Sequence, residues 1–235
     1  MNARRLLVLA ATLFALAPVH AAEEGFTAIF DGKSLDGWEG NTALWSVRDG
    51  AITGQTKAET ALKHNTFLVW KGGNVADFEL RLRYRIVNGN SGIQYRSKVA
   101  EQGPQGPIVG GYQADFEAGK TYSGILYEER GRGILAQRGQ KTRITAGADG
   151  KTKVEPTGTV GKSEEIQAKI KSEDWNDYVV IAKGNHLQHF INGVATVDVI
   201  DEDAARAAQS GVLAFQVHVG PPMTVQLKDV RLKKL

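Results

Sequence analysis

Cysteine is absent from all 235 residues. That excludes disulfides, thiol nucleophiles, zinc–thiolate sites and the modified cysteine of a lipoprotein. Long apolar runs are scarce as well. After residue 21 no stretch approaches the roughly 18 apolar residues that a spanning helix needs, so no membrane span is expected. An excess of one charge is also lacking. Without Arg4 and Arg5 the chain has 27 basic and 26 acidic residues. That balance argues against nucleic acid as a partner, because phosphate contacts call for a basic excess. GxSxG, HExxH and P-loop signatures are missing, and Gly131-Arg132-Gly133 lacks the strand–helix setting of a nucleotide loop. Only Asp201–Gln209 has helical character, with acids at its start and Ser-Gly after it.

The N-terminus departs from the rest. MNARRLLVLAATLFALAPVHA has a basic start, an apolar run from Leu6 to Ala17, and Val19 and Ala21 at the −3 and −1 positions of a cleavage site. It reads as a secretory signal peptide over residues 1–21, with a periplasmic or secreted mature chain. Residues 22–235 are long enough for one all-β domain with a sizeable core.

Short apolar runs of period two, separated by turn residues, fill that domain. LWSVRDGAITG reads as a hairpin about Asp49-Gly50. Phe78–Ile86, Ser91–Ser97, Gly110–Glu117, Asn176–Lys183, His186–Ile191, Ala195–Ile200, Gly211–Val219 and Met223–Leu232 read as strands, Gly131–Gln137 as a short one, and residues 138–163 as a loop or hairpin. Many closely spaced strands with almost no helix predict a two-sheet jelly-roll β-sandwich.

Alternation then sorts the polar residues. In GGYQADFE, Tyr112, Ala114 and Phe116 share one side, and Gln113, Asp115 and Glu117 the other. Gln94 with Arg96, Gln216 with His218, and Glu79 with Arg81 and Arg83 show the same split. Such a face is either the solvated side of an antiparallel sheet or the floor of a site for a hydroxylated ligand, whose hydroxyls need paired donors and acceptors. His64, His186 and His189 read as ordinary surface or edge residues. Trp38, Trp45 and Trp70 read as core rather than as sugar-stacking platforms.

The ordered set GFTAIFDGKSLDGW, NSGIQYRS, VGGYQADFE, LYEERGRGIL, DWNDYVVIAKGNHLQHFINGV and FQVHVGPPM, over about 25–235, resembles the 3-keto-disaccharide hydrolase family. The resemblance implies a concanavalin A-like fold and substrates whose C3 hydroxyl is already a ketone. It implies removal of the acidified C2 proton, β-elimination of the C1 aglycone, and hydration of the enone for net hydrolysis; stopping earlier makes a lyase. It also implies a sugar 3-dehydrogenase as functional partner. On this reading the catalytic candidates are His218, Asp115 and Glu128. Gln94, Arg96, Gln113, Gln216, Arg130 and Glu79 are candidates for binding substrate, with Arg96 or Arg130 facing the enolate oxygen. A divalent metal held by Asp115, Glu117, Glu128 and His218 is an alternative to the arginine. Related chains often have an acid followed by an amide where this one has Gln113-Ala114-Asp115, which implies exchanged roles. The loop around Arg130-Gly131 is expected to rim the site. Two other readings stand beside this one: a non-catalytic carbohydrate-binding module, and an ordinary glycoside hydrolase using Asp115-Phe116-Glu117.

Overall fold

A computed structural model describes residues 24–235; the expected signal peptide lies outside the described residues. The strands in chain order are β1 (Thr27–Ala28), β2 (Trp38–Glu39), β3 (Trp45–Arg48), β4 (Ala51–Gln55), β5 (Thr66–Trp70), β6 (Phe78–Val87), β7 (Asn90–Gly103), β8 (Gly106–Glu117) and β9 (Leu126–Glu129). There follow β10 (Gly133–Ala136), β11 (Gln140–Ala146), β12 (Thr152–Thr159), the helix α1 (Ser163–Gln167), β13 (Asn176–Lys183), β14 (His186–Ile191), β15 (Val194–Asp201), β16 (Val212–Val217) and β17 (Thr224–Lys234).

These strands form two sheets packed as a jelly-roll sandwich. One runs β12-β11-β15-β14-β13-β6-β17-β4-β3, with β1 on β17; the other runs β10-β9-β8-β7-β16-β5-β2. The pairing of β11 with β15 is parallel. Tight turns set several registers. Asp49-Gly50 and Asn192-Gly193 all have positive φ, the backbone that short hairpin turns require and that Asn, Asp and Gly tolerate best.

Burial follows the alternation closely. In β6, Phe78, Leu80, Leu82, Tyr84 and Ile86 are buried while the residues between them are not. Aromatic rings fill the space between the sheets. Tyr84 and Phe116 lie 4.3 Å apart and Trp38 stacks on Phe215 at 5.0 Å. Trp45 is likewise in the core.

Three local expectations need correction. Residues 201–209 form no helix: Asp201 ends β15, and the segment after it turns about Asp203, which accepts hydrogen bonds from the backbone N–H groups of Arg206 and Ala207. The short helix lies at Ser163–Gln167 instead, around a single buried apolar residue, Ile166. His189 is not a surface residue. It sits in the core with Nε2 3.0 Å from Tyr95 Oη, and burial drives its pKa down to about 3, so the ring stays neutral.

Candidate functional site

The polar face belongs to the seven-stranded sheet. Gln94 of β7 stands opposite Gln113 of β8, and Gln113 stands opposite Tyr127 of β9. Because alternate residues share a face, Asp115 and Glu129 emerge on the same side. Gln216 emerges there from β16, and His218 follows it two residues on. Inner-face neighbours anchor each strand: Ile93 and Tyr95, Tyr112 and Phe116, Leu126, Phe215 and Val217 are all in the core.

One glutamine organises the centre. Gln113 Oε1 accepts from Gln94 Nε2 at 2.6 Å and from Gln216 Nε2 at 3.0 Å. Its Nε2 donates to Asp115 Oδ1 at 2.5 Å. Gln94 Oε1 in turn accepts from Ser97 Oγ at 2.6 Å. Such a chain of amides fixes every rotamer in it. Gln216 Oε1 is left buried without a partner, an acceptor suited to a ligand hydroxyl.

Gly92 makes the arrangement sterically feasible. A Cβ there would lie 2.4 Å from Gln113 Cγ and 2.5 Å from its Cδ. Gly92→Ala is therefore expected to push Gln113 off its partners and lower stability by roughly 1–3 kcal/mol. A thermal melt, together with the side-chain amide NMR signals of Gln94 and Gln113, checks this; unchanged signals would contradict it.

The two carboxyl groups of the face sit in a dry environment. Burial pushes the Asp115 pKa up to about 8, adjacent Glu129 adds to the rise, and the Gln113 hydrogen bond opposes it. Asp115 is thus mostly protonated at neutral pH. Glu129 is also raised by burial, held back by a hydrogen bond from Asn65 and by the charges of His218 and Arg130. Asn65 Nδ2 donates to Glu129 Oε1 at 3.2 Å, and Asn65 Oδ1 accepts from the Val219 N–H at 2.9 Å. One asparagine therefore ties the Glu129 carboxylate to the His218–Val219 backbone. His218 Nδ1 lies 2.5 Å from the Val219 carbonyl oxygen. A carbonyl can only accept, so Nδ1 carries the proton and the Nε2 lone pair is available in the neutral ring.

Of the residues predicted from sequence, Gln94, Gln113, Asp115, Gln216 and His218 come together on this face, with Arg130 exposed at its edge. Glu128 does not join them. It alternates with Glu129 and so points between the sheets, where its carboxylate binds Arg132 at 2.6 Å. Arg96 leaves the face at a bulge between Tyr95 and Lys98, where its own φ is 47°. Its guanidinium donates instead to the carbonyls of Ala76 at 2.7 Å and Gly184 at 2.6 Å, and to Asp77 at 2.9 Å. Glu79 belongs to the other sheet and pairs with Arg81. Glu117 accepts from the N–H groups of Thr121 and Tyr122. It holds a turn, which removes the carboxylate pair Asp115-Phe116-Glu117 as a catalytic couple. The proposed metal ligands are dispersed by the same facts, and among the described residues no three His, Asp or Glu side chains converge to hold a metal ion. Sequence reasoning left Glu129, Tyr127 and Asn65 out of the candidate set. The phase of Leu126 in LYEE, one apolar residue facing inward, was the signal for Glu129.

The sequence profile of the 3-keto-alpha-glucoside-1,2-lyase-like domain matches residues 25–233. The chain belongs to that family. Similar folds occur in solved structures. One is a protein of Parabacteroides distasonis described provisionally as a glycosyl hydrolase, with 22% identity, 90% of this chain and 95% of that one covered, and a TM-score of 0.56. Another is the carbohydrate-binding module CBM66 of Bacillus subtilis, with 14% identity, 84% and 96% covered, and a TM-score of 0.53. A third is the kappa-carrageenase of Pseudoalteromonas carrageenovora, solved with an oligotetrasaccharide of kappa-carrageenan, with 12% identity, 93% and 98% covered, and a TM-score of 0.50. No curated protein matches the chain. At these identities the likeness is one of fold. With the family it makes this 3-keto-alpha-glucoside-1,2-lyase-like chain a carbohydrate-active jelly-roll domain.

Proposed function

We propose that the protein cleaves 3-keto-glycosides by C2 proton abstraction and β-elimination. The observation that carries this reading is that one sheet face bears both the Asp115 carboxyl, whose pKa burial raises to about 8, and the His218 imidazole, whose Nδ1 is taken by the Val219 carbonyl. Elimination needs a base and an acid at the same time: the Nδ1–H tautomer leaves the His218 Nε2 lone pair for the base role, and burial favours the protonated form of Asp115 for the acid role.

The ketone at C3 acidifies the C2 hydrogen. His218 Nε2 takes that proton, and the electron pair of the C2–H bond forms an enolate. The enolate collapses to a C1–C2 double bond as the C1–O bond breaks, and Asp115 gives its proton to the departing oxygen. Water adding at C1 of the enone gives net hydrolysis. The negative charge of Glu129 favours the imidazolium formed at His218. Arg130 at the rim faces the enolate oxygen, and Gln94, Gln113 and Gln216 receive sugar hydroxyls.

The proposal includes export, with residues 1–21 as a cleaved signal peptide, and a sugar 3-dehydrogenase as the source of the ketone. Parallel assays of a 3-keto-glucoside and the unoxidised glucoside test the reading. Turnover of the keto sugar alone is expected, lost in His218→Ala. Cleavage of the unoxidised glucoside at a similar rate would replace this mechanism with an ordinary two-carboxylate hydrolysis through Asp115 and Glu129.

A further inference from the structure

Asn65 ends the connection between β4 and β5, and that connection is held by a distant hairpin. Gln105, at the tip between β7 and β8, accepts from the Lys63 N–H through Oε1 and donates through Nε2 to the Ala61 carbonyl, both at 3.0 Å. Its main-chain carbonyl accepts from Thr66 Oγ1 at 3.0 Å and from Asn41 Nδ2 at 3.1 Å. The tip can approach this closely because residue 106 is glycine: a Cβ there would lie 2.5 Å from Thr66 Oγ1. Bonds at Lys63 and Thr66 therefore clamp the chain on either side of Asn65.

From that fixed place the Asn65 amide uses both of its ends on the site. Oδ1 accepts from the Val219 N–H at 2.9 Å and Nδ2 donates to Glu129 Oε1 at 3.2 Å. An N–H can only donate, which makes Oδ1 the atom facing Val219 and leaves Nδ2 for Glu129. The other Glu129 oxygen receives Gln216 Nε2 at 3.4 Å. The bond to Val219 holds the peptide that follows His218, and the Val219 carbonyl is the group that engages His218 Nδ1. The tautomer of a histidine is set by the hydrogen bond that one ring nitrogen makes, which leaves the other nitrogen free. Here the deciding partner is a residue whose own N–H is held by Asn65.

We propose that Asn65 is a positioning residue: through Val219 it seats the His218 ring with Nδ1 protonated and Nε2 unprotonated, and it ties the Glu129 carboxyl to the same stretch of chain. Both polar ends of Asn65 are taken by the protein, so its part is to orient other groups and not to bind sugar hydroxyls. The side chain must offer a donor and an acceptor in one plane, which an aspartate or a leucine of similar size does not. The effect of Asn65 on turnover rests on the elimination reading. Its effect on the His218 tautomer does not, and is measurable without substrate.

Nitrogen NMR of the purified protein carrying isotope-labelled histidine tests this, at alkaline pH where the rings are neutral, with His218→Ala identifying the signal. The wild-type His218 ring is expected in the Nδ1–H form. Asn65→Ala removes both bonds and is expected to shift the ring toward the Nε2–H form that free histidine prefers, with the other histidine signals unmoved. In turnover of a 3-keto-glucoside the same variant is expected to lose about 10²-fold in kcat, the scale of a misplaced catalytic group, with KM little changed. Asn65→Asp combined with Glu129→Gln keeps an acceptor for the Val219 N–H and reverses the direction of the second bond, so it is expected to restore the Nδ1–H form. An Nδ1–H ring that persists in Asn65→Ala, or a double variant with the same tautomer mixture as Asn65→Ala, would overturn the proposal. A wild-type protein that shows these tautomer shifts but turns over no 3-keto-glucoside would overturn the elimination reading alone and support the link from Asn65 to His218.

Discussion

Replacing Asp115 with asparagine is expected to lower kcat/KM for a 3-keto-glucoside by about 10²–10⁴-fold, the range for loss of a general acid. The amide retains an acceptor for Gln113 Nε2, so the network should survive while the transferable proton is gone. The pH profile separates acid from base. As a proton donor, wild-type Asp115 works below its pKa, so kcat/KM should fall as pH rises through about 8. The variant's residual activity should lack that limb. A wild-type rate that climbs through the same range would make Asp115 the base and reverse the assignment.

The same shift has a consequence for stability. The folded pKa of about 8 lies above the ordinary value of 3.8. Between these values the native state holds a proton that the unfolded chain has released. The associated stability is complete below about pH 4 and is lost as pH rises through 8. Asp115→Asn removes the cost of ionising a buried carboxyl. The variant should therefore melt higher than wild type at pH 8 and above, by about 1–2 kcal/mol, with the gap closing toward pH 4. Gain of stability together with loss of turnover marks a residue kept for its chemistry.

Arg132→Ala is expected to be among the most damaging single changes in the chain. Arg132 lies 2.6 Å from Glu128 and 2.7 Å from Asp201, and its side chain is 6% exposed. Tyr112 also donates its hydroxyl to Asp201. Burial works against the guanidinium charge, but hydrogen bonds and attraction from the two carboxylates outweigh it, so the group stays protonated. Deleting it strands buried anions, which costs about 3–5 kcal/mol. For a chain of this size that lowers the melting temperature by on the order of 10 °C. The double change Glu128→Gln with Asp201→Asn in the Arg132→Ala background should recover part of the loss. A single-variant melting temperature within a degree or two of wild type would show that water reaches the cluster and replaces the arginine.

This cluster also explains which parts of the site were legible in the sequence. Strand alternation located Gln94, Gln113, Asp115 and Gln216, because each is flanked by apolar residues that fix the phase. At LYEE two adjacent glutamates compete for one outward position. Local pattern could not reveal that Glu128 has a buried partner three residues beyond its strand. Arg96 was misassigned for a backbone reason: a bulge breaks period two, and a single residue of positive φ re-aims the side chain. Glu79 follows its own alternation faithfully; what periodicity lacks is the pairing order that puts β6 in the other sheet. At Asp201–Gln209 the acids that resembled a helix start serve other partners: Asp201 binds Arg132, and Asp203 accepts from Thr152 Oγ1 at 2.8 Å. The sandwich itself was legible because it depends on many strands at once, whereas each site residue depends on one phase.

The most direct test of the central claim is solvent exchange at C2. The protein is incubated with a 3-keto-glucoside in deuterated buffer and followed by NMR. Proton abstraction by His218 predicts deuterium at C2 of product and of recovered substrate. His218→Ala should incorporate none above the uncatalysed rate. Cleavage that leaves the C2 hydrogen of the product untouched would contradict elimination and assign the face to direct glycoside hydrolysis.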